Sequence, residues 1–290
     1  MRTRRIFPGL LALGVICSGP TWAFDPTADV ATPADAFRFG YSALQGGEIT
    51  TAIDAIQYAA DQGYVRAQWM LGHLYAEGQG VPQDDRHAFN IFTEIVDAYA
   101  RENPRGPDAA FIADAFVALG HYYRGGAVAP TDYERARQLY LHAATYFASP
   151  AAQYELAIMF YYGEISGADP VQAVRWARLA AENGSPQAQA LLGHMLFEGQ
   201  GVPRQAVLGL AYLTIALLRG AAEGDGARLR QMHEQAFSVA TQAERRTAQA
   251  LAEDWLRTNG DPTMLATQPA NPAADAALPA AAAAAPAAPR

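Results

Sequence analysis

Leu71-Gly72-His73-Leu74-Tyr75, followed by Gly78-Gln79-Gly80-Val81-Pro82, is the stretch whose recurrence decides the fold. Its first half returns as Leu119-Gly120-His121-Tyr122-Tyr123, Leu156-Ala157-Ile158-Met159-Phe160 and Leu192-Gly193-His194-Met195-Leu196. The small residue in second place falls at 72, 120, 157 and 193, in steps of 48, 37 and 36 residues. A glycine-containing turn follows each time: Gly125-Gly126, Gly163, and Gly199-Gln200-Gly201-Val202-Pro203 in the later copies. After the turn comes a second helical pattern with paired alanines, Ala143-Ala144 and Ala180-Ala181, and Ala59-Ala60 closes an earlier unit built on Phe39-Gly40-Tyr41. Internal repetition at this period is the mark of stacked supersecondary units. Gly and Ala at the facing positions let two helices approach closely, and the aromatics fill what remains. One such hairpin cannot bury its apolar face, so neighbours must stack. The expected fold is all-α: a solenoid of stacked helical hairpins over residues 36–222, with capping helices over 223–258.

The pattern Leu-Gly-x-x-Tyr-x-x-Gly-x-Gly-Val resembles the Sel1-like repeat, a relative of the tetratricopeptide solenoid, and the resemblance spans roughly residues 36–220. It implies a right-handed superhelix. The first and fourth copies match the pattern nearly in full. The second and third depart in the turn, where Ala127-Val128-Ala129-Pro130 and Glu164-Ile165-Ser166-Gly167 replace it, and the fourth lacks the usual acidic residue after the turn. The step of 48 implies an insertion between Asp97 and Phe111, with Arg101-Glu102-Asn103-Pro104-Arg105-Gly106-Pro107 as its polar, helix-breaking part. A narrower likeness rests on Phe24-Asp25-Pro26, Gly209-Leu210-Ala211-Tyr212 and Glu234-Gln235-Ala236-Phe237-Ser238-Val239-Ala240-Thr241. These segments are similar to the ExoR family, the periplasmic Sel1-repeat regulators of exopolysaccharide synthesis in alphaproteobacteria. The likeness implies a repressor that binds the periplasmic domain of a membrane sensor histidine kinase. It also implies control of exopolysaccharide and motility programmes, and relief through a periplasmic protease.

The two ends of the chain have their own character. Arg2, Arg4 and Arg5 precede the apolar run Ile6 to Cys17, and Thr21-Trp22-Ala23 offers a small-residue cleavage site before Phe24. Residues 1–23 therefore read as a cleaved secretory signal, cut between Ala23 and Phe24, and the mature chain is expected in the periplasm. An apolar run of about 12 residues is too short to cross a ~30 Å hydrocarbon layer, and no membrane insertion of the mature chain is expected. Residues 24–35 read as an extended segment. Leu229, Met232, Ala236 and Val239, then Ala248, Leu251 and Trp255, form a stripe at helical spacing that suits one or two capping helices. Residues 259–290 read as a disordered tail. Its last 18 residues hold 12 Ala and 3 Pro, too little branched apolar mass to offset the entropy of ordering.

Composition removes several function classes. The 290 residues carry 29 acidic and 21 basic side chains, a net charge of −8. Three of the basic residues lie in the signal, so the mature chain has 18 against 29, or −11, the wrong sign for a nucleic-acid binder. Every basic residue is Arg, which excludes phosphate loops of the Walker A type, Schiff-base chemistry and Ser-x-x-Lys acyl transfer. The single cysteine, Cys17, lies in the signal, leaving no thiol nucleophile, disulfide or Cys-based metal site. His233-Glu234 begins a zinc-protease motif, but Phe237 stands where the second His belongs. The chain is therefore expected not to be an enzyme and to need no cofactor or metal.

A binding surface is the remaining expectation, and apart from the family likeness the residues suit equally a generic exported Sel1-repeat scaffold that joins proteins of the cell envelope. His73, His121 and His194 occupy the same repeat position, on helices at least ~8–10 Å apart, so they cannot share one metal ion but can share one face. In the related tetratricopeptide fold the first helix of each hairpin lines a concave groove. On this sequence the groove stripe takes Arg66, Trp69, His73 and Glu77 in the first repeat, and His121 and Arg124 in the second. It takes Tyr154, Tyr161 and Tyr162 in the third, and His194 and Phe197 in the fourth. Aromatics and arginine are the usual anchors of protein interfaces.

Overall fold

The computed structural model describes residues 32–220 and 226–259. The expected signal peptide with its Ala23–Phe24 junction, most of the segment expected to be extended and nearly all of the tail expected to be disordered lie outside the described residues. The described residues form helices and no strands. Five hairpins follow one another: α1 (Pro33–Gln45) with α2 (Ile49–Asp61), α3 (Val65–Glu77) with α4 (Asp85–Tyr99), α5 (Ala109–Gly125) with α6 (Tyr133–Thr145), α7 (Pro150–Tyr162) with α8 (Pro170–Glu182), and α9 (Pro186–Glu198) with α10 (Ala206–Gly220). Two further helices, α11 (Gly226–Val239) and α12 (Gln242–Asn259), pack on α10. Leu229, Ala236, Ala248, Ala252 and Leu256 bury most of the apolar face of these two helices against the last hairpin, whereas Val239, expected on that stripe, is 70% exposed. None of the described helices is long and apolar enough to cross a membrane.

The repeat chemistry sets where each helix starts and stops. The first helices α3, α5, α7 and α9 end on Gly78, Gly126, Gly163 and Gly199, each in the left-handed region that a Cβ disfavours. The second helices α4, α6 and α8 begin on Asp84, Asp132 and Asp169, whose carboxylates accept the backbone N–H three residues on. In the fourth repeat that place is held by Gln205. Its N–H still donates to the Leu196 carbonyl at 2.8 Å, as Asp132 N–H does to Tyr123 at the same length, so the turn is kept while the acidic cap is lost. Ser149 and Ser185 cap α7 and α9, each with proline at the first helical position.

Close approach within hairpins is uneven. A Cβ on Gly72 would stand 2.8 Å from the ring edge of Phe92, whereas one on Gly193 would meet the Gly209 carbonyl oxygen at 2.8 Å and the Leu213 nitrogen at 2.9 Å. The α9–α10 hairpin is thus closed backbone on backbone and the α3–α4 hairpin backbone on side chain. Phe92, Tyr140, Met159 and Met195 are the large side chains that run buried along the array.

The insertion is where the sequence places it, between α4 and α5, but it is moored. Tyr99 Oη donates to the Gly63 carbonyl (2.9 Å), His142 Nε2 to the Ala100 carbonyl (2.9 Å), and Arg66 Nη2 to the Pro107 carbonyl (3.0 Å). Arg66 Nε also pairs with Asp108 at 2.6 Å. Side chains of α3, α4 and α6 therefore tie down both ends of a loop that has no apolar anchor of its own.

Candidate interaction groove

The first helices α3, α5, α7 and α9 touch one another in succession, each meeting the next hairpin's first helix. They form one wall, and its side chains are joined across repeats. Trp69 Nε1 donates to Asp114 Oδ2 at 2.7 Å, and His73 Nε2 lies 2.8 Å from the same oxygen. A carboxylate only accepts, so His73 carries its proton on Nε2. Burial pushes the Asp114 carboxyl up, but the hydrogen bond and charge of His73, with Trp69 and His121 adding to them, outweigh it and hold the group below the usual carboxylate range. In the next step His121 Nε2 lies 3.2 Å from Glu155, and Arg124 pairs with Glu155 at 2.8 Å and with Glu164 at 2.6 Å. Arg124 sheds part of its hydration there, yet those two carboxylates push its pKa further up. Burial also raises the Tyr140 hydroxyl beneath this cluster, so that it stays neutral.

The structure assigns distinct places to the expected groove residues. His73, His121 and Tyr154 come together with Asp114, Val117, Ala151 and Gln187 around a groove of about 420 Å³. Arg66 and Trp69 flank it but are engaged: the Arg66 guanidinium lies 5.1 Å over the Phe111 ring, and Trp69 meets that ring edge-on at 5.0 Å. Tyr161 packs against the core between α7 and α9, while its edge-on neighbour Tyr162 is 62% exposed beside it. His194 is half-buried on α9, and Glu77 is exposed at the end of α3, accepting from Gln79 Nε2. Neither Glu77 nor His194 lines the groove.

Phe197 corrects the sequence expectation. It is 3% exposed, packed with Ala206, Leu210 and Leu213, and the Arg204 guanidinium covers its ring at 5.0 Å. The close α9–α10 hairpin and its caps use this ring as core, so it offers nothing to a partner. Sequence reasoning passed over Glu155 and Glu164, which sit off the aromatic stripe yet complete the ion-pair network. The signal that could have found them is Arg124 itself, a half-buried cation in the last turn of α5 whose one stripe acid, Asp114, stands near the other end of the helix. No group of three or more His, Asp or Glu side chains is placed to hold a metal ion among the described residues.

Comparison with known proteins agrees with this architecture. The Sel1 repeat model matches residues 65–94, 113–145, 150–185 and 186–220. An exopolysaccharide production negative regulator of Rhizobium leguminosarum bv. viciae is 40% identical over 248 residues, covering 83% of this chain and 90% of that protein. A namesake from Rhizobium meliloti is 37% identical over 257 residues, covering 87% and 93%. The chain belongs to this family of Sel1-repeat regulators. Among solved structures, a protective antigen of uropathogenic Escherichia coli with an SLR fold superposes with a TM-score of 0.65 at 25% identity over 81% of this chain. The regulator chain spans about half of that antigen, 47% of its length. A Sel1 repeat protein from Oxalobacter formigenes has a TM-score of 0.56 and 24% identity, covering 74% of this chain and 91% of its own, and shares the fold.

Proposed function

We propose that this protein is an exported negative regulator of exopolysaccharide production. It acts by holding the periplasmic sensing part of a membrane sensor histidine kinase in its signalling-off state, and through that kinase it also governs motility. The observation that carries the reading is the 40% identity extending over 83% of this chain and 90% of a curated negative regulator. The groove supports it: a half-exposed polar and aromatic wall on stacked helices is a surface for a protein segment, not a reaction centre. A periplasmic protease relieves the restraint by cutting the protein. Deleting the gene in its native host should raise exopolysaccharide and reduce swimming, and the full chain supplied in trans should reverse both. Unchanged exopolysaccharide in the deletion strain overturns the reading.

A further inference from the structure

The groove has a polarity, and it points to the chemistry of what it holds. Both donors to Asp114, Trp69 Nε1 and His73 Nε2, fall on Oδ2, which leaves Oδ1 without a donor among the described residues. The side chain is 40% exposed at the groove, and its neighbours hold it ionised. Along the same wall the Arg124 guanidinium is already paired with Glu155 and Glu164, so it is not turned toward Asp114. Val117, Ala118 and Ala151 supply an apolar floor between them. Tyr154 and Gln187 continue the groove into a smaller recess whose apolar lining is Leu191, Leu229 and Met232, with Arg228 beside them, where α11 closes the end.

We infer that the groove takes an extended segment of the partner protein that seats an Arg or Lys side chain on Asp114 and directs an apolar side chain toward Met232. This rests on the reading of the groove as the partner-binding surface and deepens it. Charge complementarity argues for the cation: a preorganised carboxylate with one free oxygen offers a charge-assisted hydrogen bond with little reorganisation. An acidic segment would bring like charge against the open oxygen of Asp114.

The test uses phage-displayed random dodecapeptides selected on the purified exported chain, followed by fluorescence polarisation of the enriched peptides. The expected result is enrichment of Arg or Lys, with binding weakened about tenfold or more by Asp114→Asn. Replacing the peptide's arginine by citrulline should cost the same in the unaltered protein and nothing further in Asp114→Asn. Ala151→Arg, at an exposed position of the floor, should also block binding without disturbing the Asp114 bonds, and Leu179→Ala on the outer helix α8 should leave it unchanged. Failure to enrich any peptide, enrichment of acidic or neutral ones, or a citrulline effect that persists in Asp114→Asn overturns the inference. So does self-association abolished by Asp114→Asn, which would make a second copy of the chain the occupant. The two readings separate cleanly. If the native kinase is captured equally well by Asp114→Asn and Ala151→Arg, the regulator stands and the cationic segment falls. If cationic peptides bind through Asp114 but no kinase is captured, the reverse holds.

Discussion

Asp114 does two jobs that pull against each other: it ties the first repeat to the second through Trp69 and His73, and it keeps an oxygen open to the groove. Its carboxyl lies below the usual range in the folded protein, so the stability it contributes is present above the ordinary carboxylate pKa and lost as pH falls through the lower folded value. The difference in unfolding free energy between the unaltered protein and Asp114→Asn, read by urea titration, should therefore be largest near neutral pH and shrink below about pH 4. His233 runs the other way. Burial against α10, where Nε2 meets Thr214 Oγ1 at 3.2 Å, lowers its pKa, only partly offset by Glu234. The folded state resists protonating it, so stability falls as pH drops below about 6.5, and His233→Gln should flatten that slope. Ala148 is a third residue with a local cost. It holds φ 54° where Gly63 and Gly184 occupy the equivalent step before α3 and α9. A left-handed alanine is strained, and Ala148→Gly should raise stability by ~1 kcal/mol in thermal or urea unfolding.

The regular elements were the part most legible in sequence, because the hairpin is written in residue types with one mechanical meaning each. Gly78, Gly126, Gly163 and Gly199 end helices, and Asp84, Asp132 and Asp169 start them. The exception is instructive. Gln205 lacks the cap of its counterparts, and Gln205→Asp should stabilise the α10 start by ~0.5–1 kcal/mol, through a side-chain acceptor and a favourable charge at the helix N-terminus. The insertion was legible as a helix-breaking loop, but its moorings were not, since each joins residues far apart in sequence: Arg66 to Pro107, Tyr99 to Gly63 and His142 to Ala100. With trypsin, which has only arginine to cut in this chain, the first internal nick should fall after Arg101 or Arg105. Arg66→Ala removes the tie to Pro107 and Asp108 and should speed that nick several-fold without cutting the helices. Early cleavage after Arg124 or Arg178 with the loop intact would contradict the arrangement.

At the scale of the whole molecule, repetition makes the architecture readable and hides the surface. A stripe of equivalent positions says which helix face turns inward, but each copy meets a different neighbour. Thus His73 finds Asp114, His121 finds Glu155, and Phe197 is swallowed by the last hairpin and its caps. Those outcomes depend on pairings between repeats, which no single copy contains. The central claim is that the chain restrains a sensor histidine kinase by holding its periplasmic part in the groove of α3, α5, α7 and α9. Site-specific photocrosslinking in the native host tests it most directly. A photoreactive side chain is placed at Ala151 in the groove and, separately, at Leu179 on the outer helix α8, and the adducts are identified by mass spectrometry. The account predicts an adduct with the periplasmic region of a sensor histidine kinase from Ala151 and none from Leu179. A kinase adduct from Leu179 alone, or an Ala151 adduct with some other protein and no kinase, would contradict it.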